Sequence, residues 1–465
     1  MLKNRRHRIS FSITSLLIIF SLSCTRNPVV TRIEFLSDLK QRTFNFFWDL
    51  KDPHTGQIPD RFPTEHFSSI AATGFGLTSY LIGIENKYIT RNDAAKEVEK
   101  TLAWLWNSKQ GTEIANTTGY KGFYYHFLTY HEGIRYKNVE LSTVDTGWLL
   151  AGILACQSYF TGEDKREKKI RDLADSIFLR VEWDWAMEGK ETMSMGWFPE
   201  SGFIPARWEG YNEAMMILIM ALGSPSYPIH DSAWNSWCKT YRWKEYMGYE
   251  HLNFSPLFGH QYSHMFIDFR GIKDPYMAAK GIDYFENSRR ATLANRNYCM
   301  SNPGNFDSYG KNTWGLSACD GPDNVKEADT LRFRTYWARG ASALEIADDG
   351  TITPTAAGGS IPFAPEECID ALFFMRNTFG DRLYQEYGFK DAINMSYHVP
   401  GSNEKGWIDV DYLGIDQGPI LIQLENYQTE LIWNIMKRNK YIINGLRRAG
   451  FTGGWLDELQ PHPGS

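Results

Sequence analysis

The stretch from Gly196 to Met216 gathers Trp197, Trp208 and Tyr211 with Glu200, Arg207, Glu209 and Glu213, then runs directly into an apolar segment, residues 215–222. A polar loop aimed by a rigid helix is a common way to build a site. A carboxyl held among indole and phenol rings loses water, so its pKa rises. A general acid working near neutral pH needs that property. Glu213, at the mouth of the apolar helix, is therefore the candidate catalytic acid. Trp197, Glu200, Arg207, Trp208 and Tyr211 are candidates for holding substrate. The plainer account is a helix start whose acids are favoured by the helix dipole.

Three further clusters carry similar chemistry. In residues 140–148, Ser142 or Thr143 is placed to cap a helix, which sets Asp145 in the first turn of an otherwise apolar segment as a second candidate catalytic carboxyl. In residues 255–265, His260, Gln261, Tyr262 and His264 precede Asp268, Arg270 and Asp274. Histidines four apart share a helix face. With no HExxH glutamate between them, hydrogen bonding to substrate or backbone is preferred to a metal pair. In residues 406–419, Asp409, Asp411 and Asp416 lie close together, followed by Gln417, Gly418 and Pro419. Asp409 and Asp411 share a side if the segment is extended, and residues 416–419 read as a helix start with proline at its first position. Any of these acids could serve as a base or a ligand to sugar, and the spacing is not that of an EF-hand. Trp314 and the small residues at 314–322 and 353–363 read as lining, since small residues let backbone approach a ligand. No metal or organic cofactor is expected.

The elements that must position these groups are helical. Apolar periodicity predicts helices over residues 32–50, 68–88, 91–106, 143–160, 164–182, 213–222, 230–246, 275–295, 365–378, 424–437 and 440–449. Buried, apolar segments alternate with amphipathic ones, as in a toroid of helical hairpins: an all-α (α/α)6 barrel with long functional loops. Strand–helix alternation is missing, as is the fixed period of a solenoid. A few loops are expected to form hairpins, for example residues 122–130 and 348–354.

The chain starts with a basic stretch (Lys3, Arg5, Arg6, Arg8) and a short apolar run, residues 11–22, which read as a secretory signal over residues 1–23. Ser21-Leu22-Ser23-Cys24 resembles a bacterial lipoprotein cleavage box, with Cys24 as the lipidated residue, a tether over 24–30 and one domain over 31–465. A lipid anchor is not a spanning helix. The expected location is the periplasm or outer membrane of a Gram-negative envelope, and the expected state a monomer. A formal charge of -6 with scattered Lys and Arg gives no footprint for nucleic acid. Aromatics make up 15% of residues, enough to supply both a large core and sugar-stacking surfaces. Beyond Cys24 the cysteines are widely spaced without a zinc pattern. A Cys299–Cys319 bridge is compatible with an oxidising compartment.

Taken together, Ser142-Thr143-Val144-Asp145-Thr146, Tyr211-Asn212-Glu213-Ala214, Pro256-Leu257-Phe258 with Gln261-Tyr262-Ser263-His264, Trp314-Gly315 and Gly414-Ile415-Asp416-Gln417-Gly418-Pro419 resemble the bacterial glycoamylase-like family, over residues 31–457 or so. That family includes inverting endo-β-1,2-glucanases. The resemblance implies an (α/α)6-barrel glycoside hydrolase acting on a polysaccharide or oligosaccharide, most readily β-1,2-glucan. It matches Glu213 to the general acid and Asp145 to an acidic helix-start motif, with the base drawn from residues 409–416. The rival readings are an α-glucan hydrolase of the glucoamylase type, a polysaccharide lyase, and a non-catalytic glycan-binding surface lipoprotein.

Overall fold

The computed structural model describes residues 31–459 apart from 65–66, 308 and 328–329. The signal-like segment, Cys24 and the tether lie outside the described residues. Among those described there are sixteen α-helices. They are α1 (Arg32–Asp49), α2 (Ile70–Glu85), α3 (Arg91–Asn107), α4 (Thr143–Tyr159), α5 (Lys165–Leu179), α6 (Met215–Gly223), α7 (Ser232–Cys238) and α8 (Tyr262–Phe266). After these come α9 (Pro275–Lys280), α10 (Tyr284–Ser301), α11 (Pro354–Gly358), α12 (Pro365–Phe379), α13 (Gly414–Thr429), α14 (Leu431–Met436), α15 (Lys440–Arg448) and α16 (Gly454–Glu458). No helix of the described residues is long and apolar enough to cross a membrane.

Local chemistry sets the starts of these helices. Thr31 and Glu34 form a capping box on α1, Thr90 caps α3, and Asp164 caps α5. Helices α2, α4 and α6 are buried nearly all round, whereas α3, α5 and α15 bury one face. Glycine lets the buried helices approach backbone to backbone. A Cβ on Gly152 of α4 would lie 2.0 Å from the Gly74 carbonyl of α2. One on Gly445 of α15 would lie 1.9 Å from the Ile219 carbonyl of α6.

Two buried apolar clusters result, and both α1 and α13 contribute to each. Phe44, Phe46 and Phe47 of α1 pack in the larger cluster, and Phe35, Leu36 and Leu39 in the other. Leu421 and Ile422 of α13 face the first, and Ile420 and Leu424 the second. Between α1 and α13, the buried Lys40 ammonium meets Glu425 at 2.5 Å, and Asn86 bonds both. The pair is therefore hydrogen-bonded as burial demands.

The structure corrects several expectations. The chain is helix-rich but not all-α. Short strands fill the connections, including a five-stranded sheet in the order Gly119–Tyr120, Phe123–Tyr125, Leu141–Ser142, Gly196–Phe198, Gly202–Phe203. Residues 122–130 are not a hairpin, because their two strands pair with different partners. The helix expected over 230–246 stops at Cys238. Trp243–Tyr246 and Tyr249–Leu252 form a hairpin instead, through Met247 and Gly248, both at positive φ. Residues 275–295 break at Gly281, which adopts φ 77°. Helix α13 starts at Gly414, so Pro419 lies inside it rather than at its first position. Cys299 and Cys319 are both free.

Gly152→Ala is expected to destabilise the fold by about 1–3 kcal/mol, because the added methyl meets backbone that cannot rotate away. A lowered midpoint in thermal or urea denaturation checks this; an unchanged midpoint would show that α2 and α4 have slack.

Candidate active site

Three helices begin where a short strand ends. Ser69, Ser142 and Leu413 are each the last residue of a strand and the N-cap of α2, α4 and α13 respectively. Helix α2 packs against both α4 and α13. A cleft adjoins these helix starts in two chambers of about 280 and 190 Å³, which share His126, Asp145, Tyr336 and Ile415. Asp60, Arg61 and Phe67 line the first chamber, and Trp148, Glu213, Phe258 and Tyr262 the second.

On one wall, Glu213 sits just ahead of α6. Its backbone is pinned by Ser263 of α8, whose hydroxyl donates to the Glu213 carbonyl and accepts from Met216 N. The Glu213 Oε2 has no hydrogen-bond partner. Burial, with a smaller contribution from the nearby Asp145 charge, pushes the carboxyl up to about 7. Asp145 accepts from the Ser142 hydroxyl and lies 3.6 Å from His126 Nε2. The other ring nitrogen of His126 meets Glu140 at 2.9 Å. Burial alone would lower the imidazole, but Asp145 and Glu140 outweigh it and raise His126 to about 9. His126 is thus an imidazolium at neutral pH. Burial raises Asp145, against the pull of that imidazolium.

Deeper in, behind Tyr262 and Tyr336, lies a second acidic group. Asp416 stands in the first turn of α13, 4% exposed, with Asp391 in hydrogen-bond reach. Burial pushes Asp416 up to about 7, and burial followed by the charges of Asp391 and Asp320 takes Asp409 to about 8. Arg61 neutralises the outer edge: its guanidinium contacts Asp60 at 3.1 Å, Asp320 at 2.7 Å and Asp411 at 3.6 Å. Oxygens of Asp320, Asp409 and Asp411 come within 4.8 Å of one another. Because the Arg61 guanidinium already meets that group, it reads as an ion-paired network and not a metal centre. The Tyr262 hydroxyl donates to the Ile415 carbonyl at 3.2 Å. Four residues on, Pro419 has no N–H to offer that carbonyl.

Many residues expected to touch substrate are committed elsewhere. Trp197 packs on Tyr120 and Trp185, and Glu200 pairs with Arg135 at 2.6 Å. Arg207 bonds Glu188 and the Met187 carbonyl, while the Trp208 indole donates to Thr143. Tyr211 stacks on Tyr284 inside the core. His260 bonds the Phe254 carbonyl, His264 bonds Ser288, and Gln261 donates to Ala356 O and Ser360. Trp314 is fully buried, and Gln417 donates to Phe389 O. Asp411 accepts from Thr64 N. Burial commits most of these side chains to neighbouring groups, although Tyr211 Oη, His260 Nδ1, Gln261 Oε1, His264 Nδ1, Trp314 Nε1 and Gln417 Oε1 are buried without a partner. Of the expected residues, Glu213, Asp145 and Tyr262 line the cleft. The sequence reading missed Asp60, Arg61, His126, Asp320, Tyr336 and Asp391. The signal that could have found His126 is a lone ionisable residue inside a short aromatic run, Phe123-Tyr124-Tyr125-His126-Phe127.

A family described as "Putative glucoamylase" matches residues 205–440, which include Glu213 and Asp416. The structure of a putative glucoamylase from Bacteroides uniformis superposes with a TM-score of 0.81 at 32% identity, over 92% of this chain and all of that one. An endo-β-1,2-glucanase from Chitinophaga pinensis, solved with sophorotriose and glucose, gives 0.79 at 26% identity over 92% of this chain and all of that one. An exo-β-1,2-glucooligosaccharide sophorohydrolase (non-reducing end) from Parabacteroides distasonis is 27% identical over 92% of this chain, which spans only 59% of that protein's length. By the matched stretch and the likeness over almost its whole described length, the chain belongs to the glycoamylase family.

Proposed function

We propose that the chain is a glycoside hydrolase that cleaves β-1,2-linked glucan with inversion, built as one (α/α)6 toroid. The observation that carries this reading is Glu213: a cleft-lining carboxyl with an unpartnered oxygen, raised to about 7. Inverting hydrolysis needs one protonated and one ionised carboxyl on opposite faces of the sugar, roughly 6.5–9.5 Å apart. Asp145 lies close enough for its charge to raise Glu213, so it belongs to the acid's side of the cleft. Tyr262 lies near enough to both Asp416 and Glu213 to feel their charges. In the proposed reaction Asp416 takes a proton from water as the water oxygen bonds to the anomeric carbon. The glycosidic C–O bond breaks, and the leaving oxygen takes the Glu213 proton. The Asp145–His126–Glu140 group keeps charge of both signs beside Glu213. The named activities of the relatives, one exo-acting on β-1,2-glucooligosaccharides and one an endo-β-1,2-glucanase, support the linkage. Export and a lipid anchor at Cys24, in a Gram-negative envelope, are part of the same proposal, resting on the leader sequence alone.

The test is a product assay on linear β-1,2-glucan and on soluble starch. Short β-1,2-oligosaccharides support the reading: a ladder means endo action, and sophorose alone means exo action. Glucose from starch would restore the α-glucan reading, and binding without turnover the glycan-binding one. Glu213→Gln is expected to lower kcat by about 10²–10⁴-fold with the fold intact, and near-normal turnover would sink the acid assignment. Because the acid must carry its proton, kcat/KM should fall as pH rises through about 7; a basic limb unmoved in Glu213→Asp would assign it to another group. Azide should restore turnover with an inverted glycosyl azide in Asp416→Gly, and the same rescue in Asp145→Gly instead would transfer the base role to Asp145.

A further inference from the structure

Asp391 is a buried carboxyl that the reaction above leaves without a task. It is 2% exposed and comes from the turn after the strand Gly388–Phe389. Its backbone N–H donates to the Asp411 carbonyl, and its Oδ2 accepts from Asp320 N at 2.7 Å. Its Oδ1 has no partner outside the acidic group, and neither does Oδ2 of Asp416. The two carboxyls lie within hydrogen-bond reach of each other. Two facing carboxylates cannot both be charged in such a place, so one proton stays between them.

The surroundings decide which of the two carries it. Asp416 stands in the first turn of α13, where the helix dipole favours an anion, and the neighbouring Thr355 hydroxyl donates to its main-chain carbonyl at 2.9 Å. Asp391 has no helix start. The charges of Asp416 and Asp320 face it, and Asp409, Cys319, Tyr262 and Tyr336 are its other titratable neighbours. Asp416 also faces Asp320 and Asp60. The cations that reach this group are Arg61, spent on Asp60, Asp320 and Asp411, and Arg339, spent on Asp349 and on the carbonyls of Cys319 and Asp320. Burial, then the Asp416 and Asp320 charges, holds Asp391 well above the usual carboxylate range.

We propose that Asp391 is a positioning residue that carries the shared proton and donates it in a hydrogen bond to Asp416, keeping Asp416 the carboxylate that faces the reacting water. This rests on the reading of Asp416 as the base. In the reaction Asp391 keeps its proton, and the one taken from water goes to Asp416.

The experiment pairs Asp391→Asn with Asp391→Leu. The asparagine amide still donates to Asp416, whereas leucine fills the same space without a donor and keeps water out. The acid limb of kcat/KM is expected to move up by about one pH unit or more in Asp391→Leu and to stay within a few tenths of a unit in Asp391→Asn, with KM changed less than about two-fold in both. An acid limb that is the same in all three proteins, or equally displaced in both variants, would overturn the proposal. A second readout is independent of turnover and of which residue is the base. Infrared difference spectra at neutral pH should show one buried protonated carboxyl lost in Asp391→Asn. An unchanged carboxyl band overturns the proposal even if Asp416 proves to be the base. The band's loss, with full activity in Asp416→Asn, would keep the shared proton and reject the base assignment alone.

Discussion

Arg61 ties three separate stretches of chain at one point. It lies on the short strand Arg61–Phe62, which pairs with Tyr412–Leu413, and its guanidinium reaches Asp60, Asp320 and Asp411. Asp60 and Asp411 are buried and Asp320 is half-buried, and a guanidinium can satisfy several carboxylates at once through its fan of donors. The pairing fixes the start of α13, since Gly414 N donates to the Asp60 carbonyl beside it. It thereby sets where Asp416 stands. Without a cation at this point, the segment that leads into α13 would carry uncompensated charge in a water-poor place.

Against that fixed edge, the other carboxyls sit in different surroundings. Glu213 has one oxygen without a partner and the Asp145 charge nearby, and burial raises it to about 7. Asp145 has a hydroxyl and an imidazolium. Asp416 has a helix start and the Asp391 carboxyl beside it. In the proposed reaction these surroundings divide one kind of group between acid and base, as enzymes do to run both halves of a proton transfer at one pH.

The helices were legible in the sequence wherever apolar period and cap agreed, as at Thr31, Thr90, Ser142 and Asp164. They were misjudged where aromatic residues fit either period, as in residues 243–252, and where a proline inside α13 looked like a start. Glu213 and Asp145 were legible because each sits at the head of an apolar helix. His260, Gln261, His264 and Gln417 carry equally polar side chains near similar helix starts, yet they bond the Phe254, Ala356 and Phe389 carbonyls and the Ser288 hydroxyl. Nothing local in a sequence says which partner a buried amide will find. Arg61 acts on Asp320 and Asp411, hundreds of positions away, and Asp391 on Asp320, in a loop distant in sequence; only the folded chain reveals these pairings.

Pro419 has an effect well beyond its own helix. By withholding an N–H from the Ile415 carbonyl, it leaves that oxygen for the Tyr262 hydroxyl. With its hydroxyl bonded in this way, Tyr262 lines the cleft with its donor already spent. The break in one helix's hydrogen-bond ladder thus sets what a side chain on another helix has left to offer.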